Sequence, residues 1–408
     1  MSKPIAPPSI GALAFLIGFA TFMLSGCSEP ERQTVYRPEN VADTTQLTRR
    51  QEMQRAAADD INVFHDFSFT DRLDASSIDF SHKIVDDAGI AYKMVHYDHG
   101  NGLSIADVDN DGFSDIYFIN QVGANELWRN LGDGAFENIT QAAGVGLDSI
   151  VCVTSSFADV DNDGDQDLFV TAVREGNFLF ENDGTGTFTD ISDAAGLKFS
   201  AHSSGAVFFD YDRDGLLDLF LTNVGQYSTG ERVPIEGRTR FDDQEGAYYY
   251  YAGFADSSMG KLIPERDEIN VLYKNDGDNR FVDVTSEMGV AGSGWSGDAV
   301  SWDVNEDGWP DLYVLSMNGD DEYYENVEGQ RFELKTVERF RGTPFGSMGV
   351  TTFDYNRDGP IDLYLTDMHS DMWETNRYIS VVQEKERPDR VLPIQQQGEA
   401  INIFGNAL

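Results

Sequence analysis

Nine residues, Asp107 to Asp115, read DVDNDGFSD and set Asp107, Asp109, Asp111 and Asp115 around Gly112. Like charges at about 4 Å repel by roughly 1 kcal/mol per pair even in water, and by more where water is partly excluded, so a cation belongs among them. Carboxylates at alternate positions of a tight loop, with glycine at position six to allow a sharp turn, suit a hard cation that takes about 6 to 8 oxygen ligands, and calcium is the first expectation. A surface turn rich in Asp, Asn and Gly is the competing reading of a single copy. Four further copies weigh against it: DVDNDGDQD with Asp159, Asp161, Asp163 and Asp167; DYDRDGLLD with Asp210, Asp212, Asp214 and Asp218; DVNEDGWPD with Asp303, Asn305, Asp307 and Asp311; and DYNRDGPID with Asp354, Asn356, Asp358 and Asp362. Up to five calcium sites are expected. Asn305 and Asn356 leave three carboxylates in loops four and five, which should hold the ion more weakly than the first three loops.

The elements that position these loops follow from their neighbours. An EF-hand would carry a glutamate at position twelve between helices, whereas Phe118, Val170, Leu221, Val314 and Leu365 stand there. Each loop runs instead into a short apolar stretch (DIYFI, DLFVT, DLFLT, DLYVL, DLYLT) rich in β-branched and aromatic residues, which reads as a strand buried on both faces. Downstream, NELWRNLGDGAFENITQAAGV, NFLFENDGTGTFTDISDAAGL and NVLYKNDGDNRFVDVTSEMGV each spell a strand, a Gly/Asp/Asn turn and a second strand opening at Phe136, Phe188 or Phe281, the pattern of a β-hairpin. A fourth copy from Asp321 keeps the spacing and loses the AGV tail. Successive loops start 52, 51, 93 and 51 residues apart, so the unit is about 51 residues with one long insertion. Roughly four strands per unit is the content of a propeller blade.

These three motifs in fixed order resemble the FG-GAP or VCBS repeats, and within that group the bacterial relatives of cartilage acidic protein, whose longer members end in an ASPIC/UnbV domain. The resemblance covers about residues 66–408. It implies an all-β, integrin-α-like β-propeller, commonly seven-bladed, with a calcium ion in many of the blades, and it implies no single activity. Only five loops are visible and the chain stops at INIFGNAL, where GNAL looks like the start of another hairpin; the propeller is expected to be incomplete in this chain.

Composition limits the partners. Seventy-one acidic against 29 basic residues give a formal charge of −42, which repels nucleic acid phosphates and anionic lipid, so no nucleic acid partner is expected. With 40% hydrophobic and 12% aromatic residues, the chain has enough apolar side chain for a core. Lys3 precedes an apolar run that ends in LSGC, Leu24 to Cys27, the form of a signal peptide. The end of that run resembles a bacterial lipobox with Cys27 as the acylated residue, and Ser28 after it resembles outer-membrane sorting; the expected location is the bacterial envelope, with a lipid anchor in the membrane. Residues 1–26 are then the signal, 27–65 a tether with a short helix at 47–64, and 66–408 the propeller with an insertion at 225–267. Cys152, the only other cysteine, lies in an apolar stretch and reads as a small buried residue.

No G-x-S-x-G, H-E-x-x-H, Walker or C-x-x-C motif occurs. The expected function is a calcium-stabilised binding or scaffold module for a protein or glycan ligand; a polysaccharide lyase or hydrolase with its site at the propeller mouth is the alternative. The tyrosine run at 248–251 within the insertion suits either a ligand surface or packing on the propeller itself, the second being favoured.

Overall fold

The computed structural model describes residues 69–83, 102–234, 249–254, 264–292, 294–317, 319–340, 342–344 and 346–367, and the backbone of 401–403. The chain divides into two units, Met1–Thr70 and Asp71–Leu408. Cys27, the signal and the helix expected at 47–64 lie outside the described residues.

The second unit is built from four-stranded antiparallel sheets whose strands follow chain order. Blade one holds β1 (Leu103–Ala106), β2 (Asp115–Phe118), β3 (Glu126–Asn130) and β4 (Phe136–Asn138). Blade two holds β5 (Cys152–Ala158), β6 (Asp167–Ala172), β7 (Phe178–Asn182) and β8 (Phe188–Asp190). Blade three starts with β9 (Ser203–Phe209) and β10 (Asp218–Asn223), is interrupted by the separate hairpin β11 (Ser228–Pro234) and β12 (Tyr249–Gly253), and resumes with β13 (Val271–Asn275) and β14 (Phe281–Asp283). Blade four holds β15 (Ala299–Trp302), β16 (Asp311–Val314), β17 (Glu322–Val327) and β18 (Arg331–Leu334). After β19 (Gly342–Pro344), the fifth sheet pairs β20 (Ser347–Phe353) with β21 (Asp362–Asp367), and β22 (Ile401–Ile403) pairs in parallel with β19. The hairpins open at Phe136, Phe188 and Phe281, the residues expected from the repeat.

The first strands of successive blades touch in order, β1 to β5 to β9 to β15 to β20. The cores therefore lie between blades. Strand periodicity assigns each side chain to one of two cores. In β6, Leu168 and Val170 pack toward blade one while Phe169 joins Leu219 and Leu221 of blade three. In β10, Phe220 turns the other way to meet Leu312 and Val314 of blade four, whose Tyr313 and Leu315 face Leu365 of the fifth sheet. All six residues of β6 and of β10 are buried, which explains why those runs show no polar alternation. In β1, by contrast, Leu103 and Ile105 stay exposed.

The AGV tail of the repeat is a single helical turn: Thr140–Ala143, Ser192–Ala195 and Thr285–Met288. Each ends on a glycine, Gly144, Gly196 or Gly289, with φ of 80°, 81° and 77°, a left-handed cap that a Cβ disfavours. Blade four caps its turn Thr336–Arg339 with Phe340 in extended backbone, so no glycine is needed there. The first hydroxyl of every turn accepts the N–H of its own third strand, as Thr140 Oγ1 does from Leu127 at 2.8 Å and Ser192 Oγ from Leu179 at 2.9 Å.

Candidate metal centres

Every loop folds around its first aspartate. Asp107 accepts the backbone N–H of Asp111 at 3.1 Å and of Gly112 at 2.8 Å. Asp159, Asp210, Asp303 and Asp354 do the same with positions five and six of their own loops. The turn needs left-handed backbone at positions four and six: Asn110 and Gly112 stand at φ 58° and 88°, Asn162 and Gly164 at 61° and 99°. Glycine and asparagine adopt this region readily.

Position nine is the buried anchor. Asp115, Asp167, Asp218 and Asp311 open the second strands with at most 2% of their surface exposed. One oxygen accepts the N–H of position two, as Val160 gives to Asp167 at 3.0 Å, and the other accepts the N–H of the asparagine that ends or nearly ends the third strand, as Asn182 gives at 2.9 Å. The carboxylate thus joins loop, second strand and third strand before any ion is considered. Burial, reinforced by the neighbouring loop carboxylates, pushes Asp167 and Asp218 up to about 7 and raises Asp115 and Asp311. Buried carboxylates that resist ionisation call for nearby positive charge.

In the first three loops the carboxylates at positions one, three and nine come together: Asp107, Asp109 and Asp115; Asp159, Asp161 and Asp167; Asp210, Asp212 and Asp218, with the ligand atoms of each set within 4.8 Å of one another. These sets could hold a metal ion. Position five, expected as a fourth carboxylate, is outside each set; Asp111, Asp163 and Asp214 accept the N–H two residues on. In loops four and five the amides of Asn305 and Asn356 donate to Asp307 and Asp358 at 3.0 and 2.9 Å. The donor set fits a hard, oxygen-preferring cation. One buried atom asks for it directly, since Oδ1 of Asp109 has no hydrogen-bond partner and such an orphan is costly.

The loops also meet the next blade. Asn182, Asn275 and Asn326 reach back to the carbonyls of Val108, Val160 and Tyr211, each at position two of the preceding loop, at 2.9, 2.7 and 2.9 Å. Asn110 donates to Asp165 of loop two at 2.6 Å, Asn162 to Gly215 of loop three at 2.8 Å, and the Arg213 guanidinium lies 5.1 Å from the Trp309 ring of loop four. Four loops therefore form one connected row along the blade edges. At the other end of the third strand, the asparagine that opens each hairpin ties one blade to the next: Asn125 to Cys152, Asn177 to Ser203 and Asn270 to Ser296, at 3.3, 3.2 and 2.9 Å. In blade four Asp321 takes this place and accepts from Ser347 at 2.7 Å. Cys152 is buried and unpaired, as its apolar surroundings suggested, and burial pushes its thiol up to about 12.

The insertion packs on the blades. Tyr251 is buried with Val122, Val151, Val173, Val224, Trp295 and Met317, residues that four successive blades contribute. Tyr249 donates to the Ser149 carbonyl at 2.9 Å, and Tyr249, Tyr251 and Arg232 converge on the Glu175 carboxylate, which they hold below its ordinary range despite its partial burial. Tyr248 lies outside the described residues. One constellation escaped sequence reading: Ser228 Oγ lies 2.8 Å from Nε2 of His202, whose Nδ1 lies 3.2 Å from Glu268. It has the order of a hydrolytic triad, yet Ser228 and His202 are fully buried, so no substrate reaches the hydroxyl. The three residues fasten the insertion to blade three. No motif announced them, because they come from three separate segments. An open groove of about 460 Å³ on blade one is lined by both polar and apolar residues, among them Glu126, Asn138, Thr140, Gln141, Leu147 and Asp148. No helix among the described residues is long and apolar enough to cross a membrane.

A family model described as the FG-GAP-like repeat matches residues 107–170, 159–221 and 303–365. Among curated proteins the chain is similar to Cartilage acidic protein 1 of Xenopus tropicalis, 28% identical over 158 residues, 37% of this chain and 24% of that protein. The match thus spans about a quarter of the relative's length. Among solved structures it is similar to an Agrocybe aegerita lectin that recognises non-reducing terminal N-acetylglucosamine, with 16% identity, 64% of this chain and 73% of that chain covered and a TM-score of 0.30. It is also similar to a Bacillus licheniformis rhamnogalacturonan lyase, with 12% identity, 67% and 47% covered and a TM-score of 0.35.

Proposed function

We propose that this chain, which carries FG-GAP-like repeats over residues 107–221 and 303–365, is a calcium-stiffened binding and scaffold module for a protein or glycan ligand, held on the extracytoplasmic side of a bacterial envelope by a lipid on Cys27. The observation that carries this reading is the connected row of loops, in which each candidate ion site borders the next blade. Calcium bound there supplies positive charge to buried carboxylates that already join strands of one blade. Asp107, Asp109 and Asp115 would hold one ion, and the equivalent residues of loops two and three two more. Stiffening the contacts between blades keeps a ligand surface preorganised, which lowers the entropy lost on binding. The module needs no catalytic step. Ser228 and His202 are buried beside the half-buried Glu268, and the loop carboxylates are committed to backbone and ion.

Three measurements on the full chain test this reading. A glycan and protein array probed with and without calcium should give calcium-dependent binding without turnover. Cleavage of any uronic-acid or neutral glycan in a panel overturns the non-enzymatic part. Cys27→Ser should abolish labelling by radioactive palmitate in the producing bacterium, and retained label overturns the anchor.

A further inference from the structure

In blades one to three the residue before the third-strand asparagine looks onto its own loop, and it differs among these three: it is Arg129 in blade one, Glu181 in blade two and Lys274 in blade three. Glu325 of blade four bonds Arg339 instead. Arg129 stays at 3.7 Å from Asp109 and bonds Glu137 at 2.6 Å instead, leaving the Asp109 Oδ1 atom buried and unpartnered. Glu181 adds a carboxylate: it and Asp161 both receive the Asn279 amide, at 3.0 and 3.2 Å, and the carbonyl oxygen of Asn279 is buried without a partner beside them. Lys274 does the reverse. Its ammonium bonds Asp212, a member of the three-carboxylate set, and lies 2.9 Å from Asp214.

We propose that Lys274 is the resident counter-ion of loop three, so that loop three takes calcium weakly while loop two, with Glu181 at the same register, is the strongest site. The proposal rests on the calcium reading above and refines it, since the aspartate pattern alone ranks the first three loops as equals. An ammonium on Asp212 satisfies the carboxylate a divalent ion needs and repels that ion at close range, where Coulomb terms are large. Lysine does this as a flexible point charge that follows the carboxylates. Arg129 is drawn off by Glu137, so loop one falls between the two.

Titration calorimetry with calcium chloride on the full chain, stripped by chelator and held at fixed ionic strength, tests the ranking. Lys274→Met keeps the aliphatic stem and removes the charge; it should add one site to the tight class, with affinity at loop three rising about tenfold or more. Lys274→Arg should titrate as the wild type does. Glu181→Gln should weaken the tightest site by about tenfold without touching loop three. Should Lys274→Met fail to fold, as circular dichroism would report, Lys274→Gln serves in its place. A Lys274→Met or Lys274→Gln protein that is folded and titrates as the wild type overturns the counter-ion role while leaving calcium binding intact. A wild type that takes no calcium, in company with a folded Lys274→Met that takes none, overturns the calcium reading and this proposal together.

Discussion

The blades and the insertion carried by blade three are fastened by opposite means. Between blades the same few bonds recur: an asparagine, or Asp321 in blade four, at the start of the third strand grips the next blade, and from blade two on an asparagine at or near its end grips the preceding loop. The insertion has no repeated device. It is held by Tyr251 in an apolar pocket, by the hydroxyls that converge on Glu175, and by Ser228 against His202. Repetition spreads load over many equal contacts, whereas a unique attachment concentrates it in a few side chains. Losses in the loops should therefore be felt throughout the second unit, and losses in the insertion should stay local.

The largest expected effect is on the loop side. An ion bound only by the folded state contributes about 2.7 kcal/mol per site at a hundredfold excess over Kd, so chelation should lower the melting temperature sharply in scanning calorimetry at fixed ionic strength. A melting temperature indifferent to chelator and to added calcium would break the comparison at its root. Tyr251→Ala comes next. Truncating a buried aromatic costs about 3 to 5 kcal/mol, and the loss should appear as faster hydrogen exchange in β11 and β12 with calcium stoichiometry unchanged; exchange that accelerates equally in blades one to four would show that the insertion is not separable. Ser228→Ala leaves the buried His202 Nε2 without its partner, at about 1 to 3 kcal/mol, and should loosen the same hairpin to a lesser degree. Protease protection equal to that of the wild type would remove this triad from the fastening.

The smallest effect sharpens the blade side. Asp321 stands where blades one to three have asparagine, and burial pushes its carboxyl up to about 7. A raised carboxyl stabilises the fold while protonated, so its contribution is full below the ordinary carboxylate range and is lost as pH rises through about 7. Wild-type stability should fall by on the order of 1 kcal/mol between pH 6 and 8 from this group. Asp321→Asn should make the fall between the two pH values smaller than in the wild type by that amount, and denaturant titrations at both pH values that give an unchanged difference would remove Asp321 from it.

Much of this was legible because it repeats. One DVDNDGFSD is a turn like many others; five copies in register, each followed by an apolar run and three of them by a hairpin opening on phenylalanine, identify blade, strand order and loop together. What did not repeat did not show. Lys274 reads as an ordinary strand residue until the register of β13 places it over Asp212. Ser228, His202 and Glu268 sit 26 and 66 positions apart, and only folding brings them together. The double duty of Asp167 was hidden for another reason. Ligand chemistry explains an aspartate there fully, so nothing in the pattern asks for the backbone bonds that the buried carboxylate also accepts.

The backward reach of the third-strand asparagines sets a clock. Val108 of loop one is held by Asn182, 74 residues later, and Val160 and Tyr211 by Asn275 and Asn326, each 115 residues later. Chains emerge from the ribosome N-terminal end first, at about 5 to 20 residues per second. Loop one therefore waits some seconds, and loops two and three longer, between their own synthesis and the arrival of the residue that closes them. A nascent chain always carries its newest acidic loop open, and the loops close one after another in the order of translation.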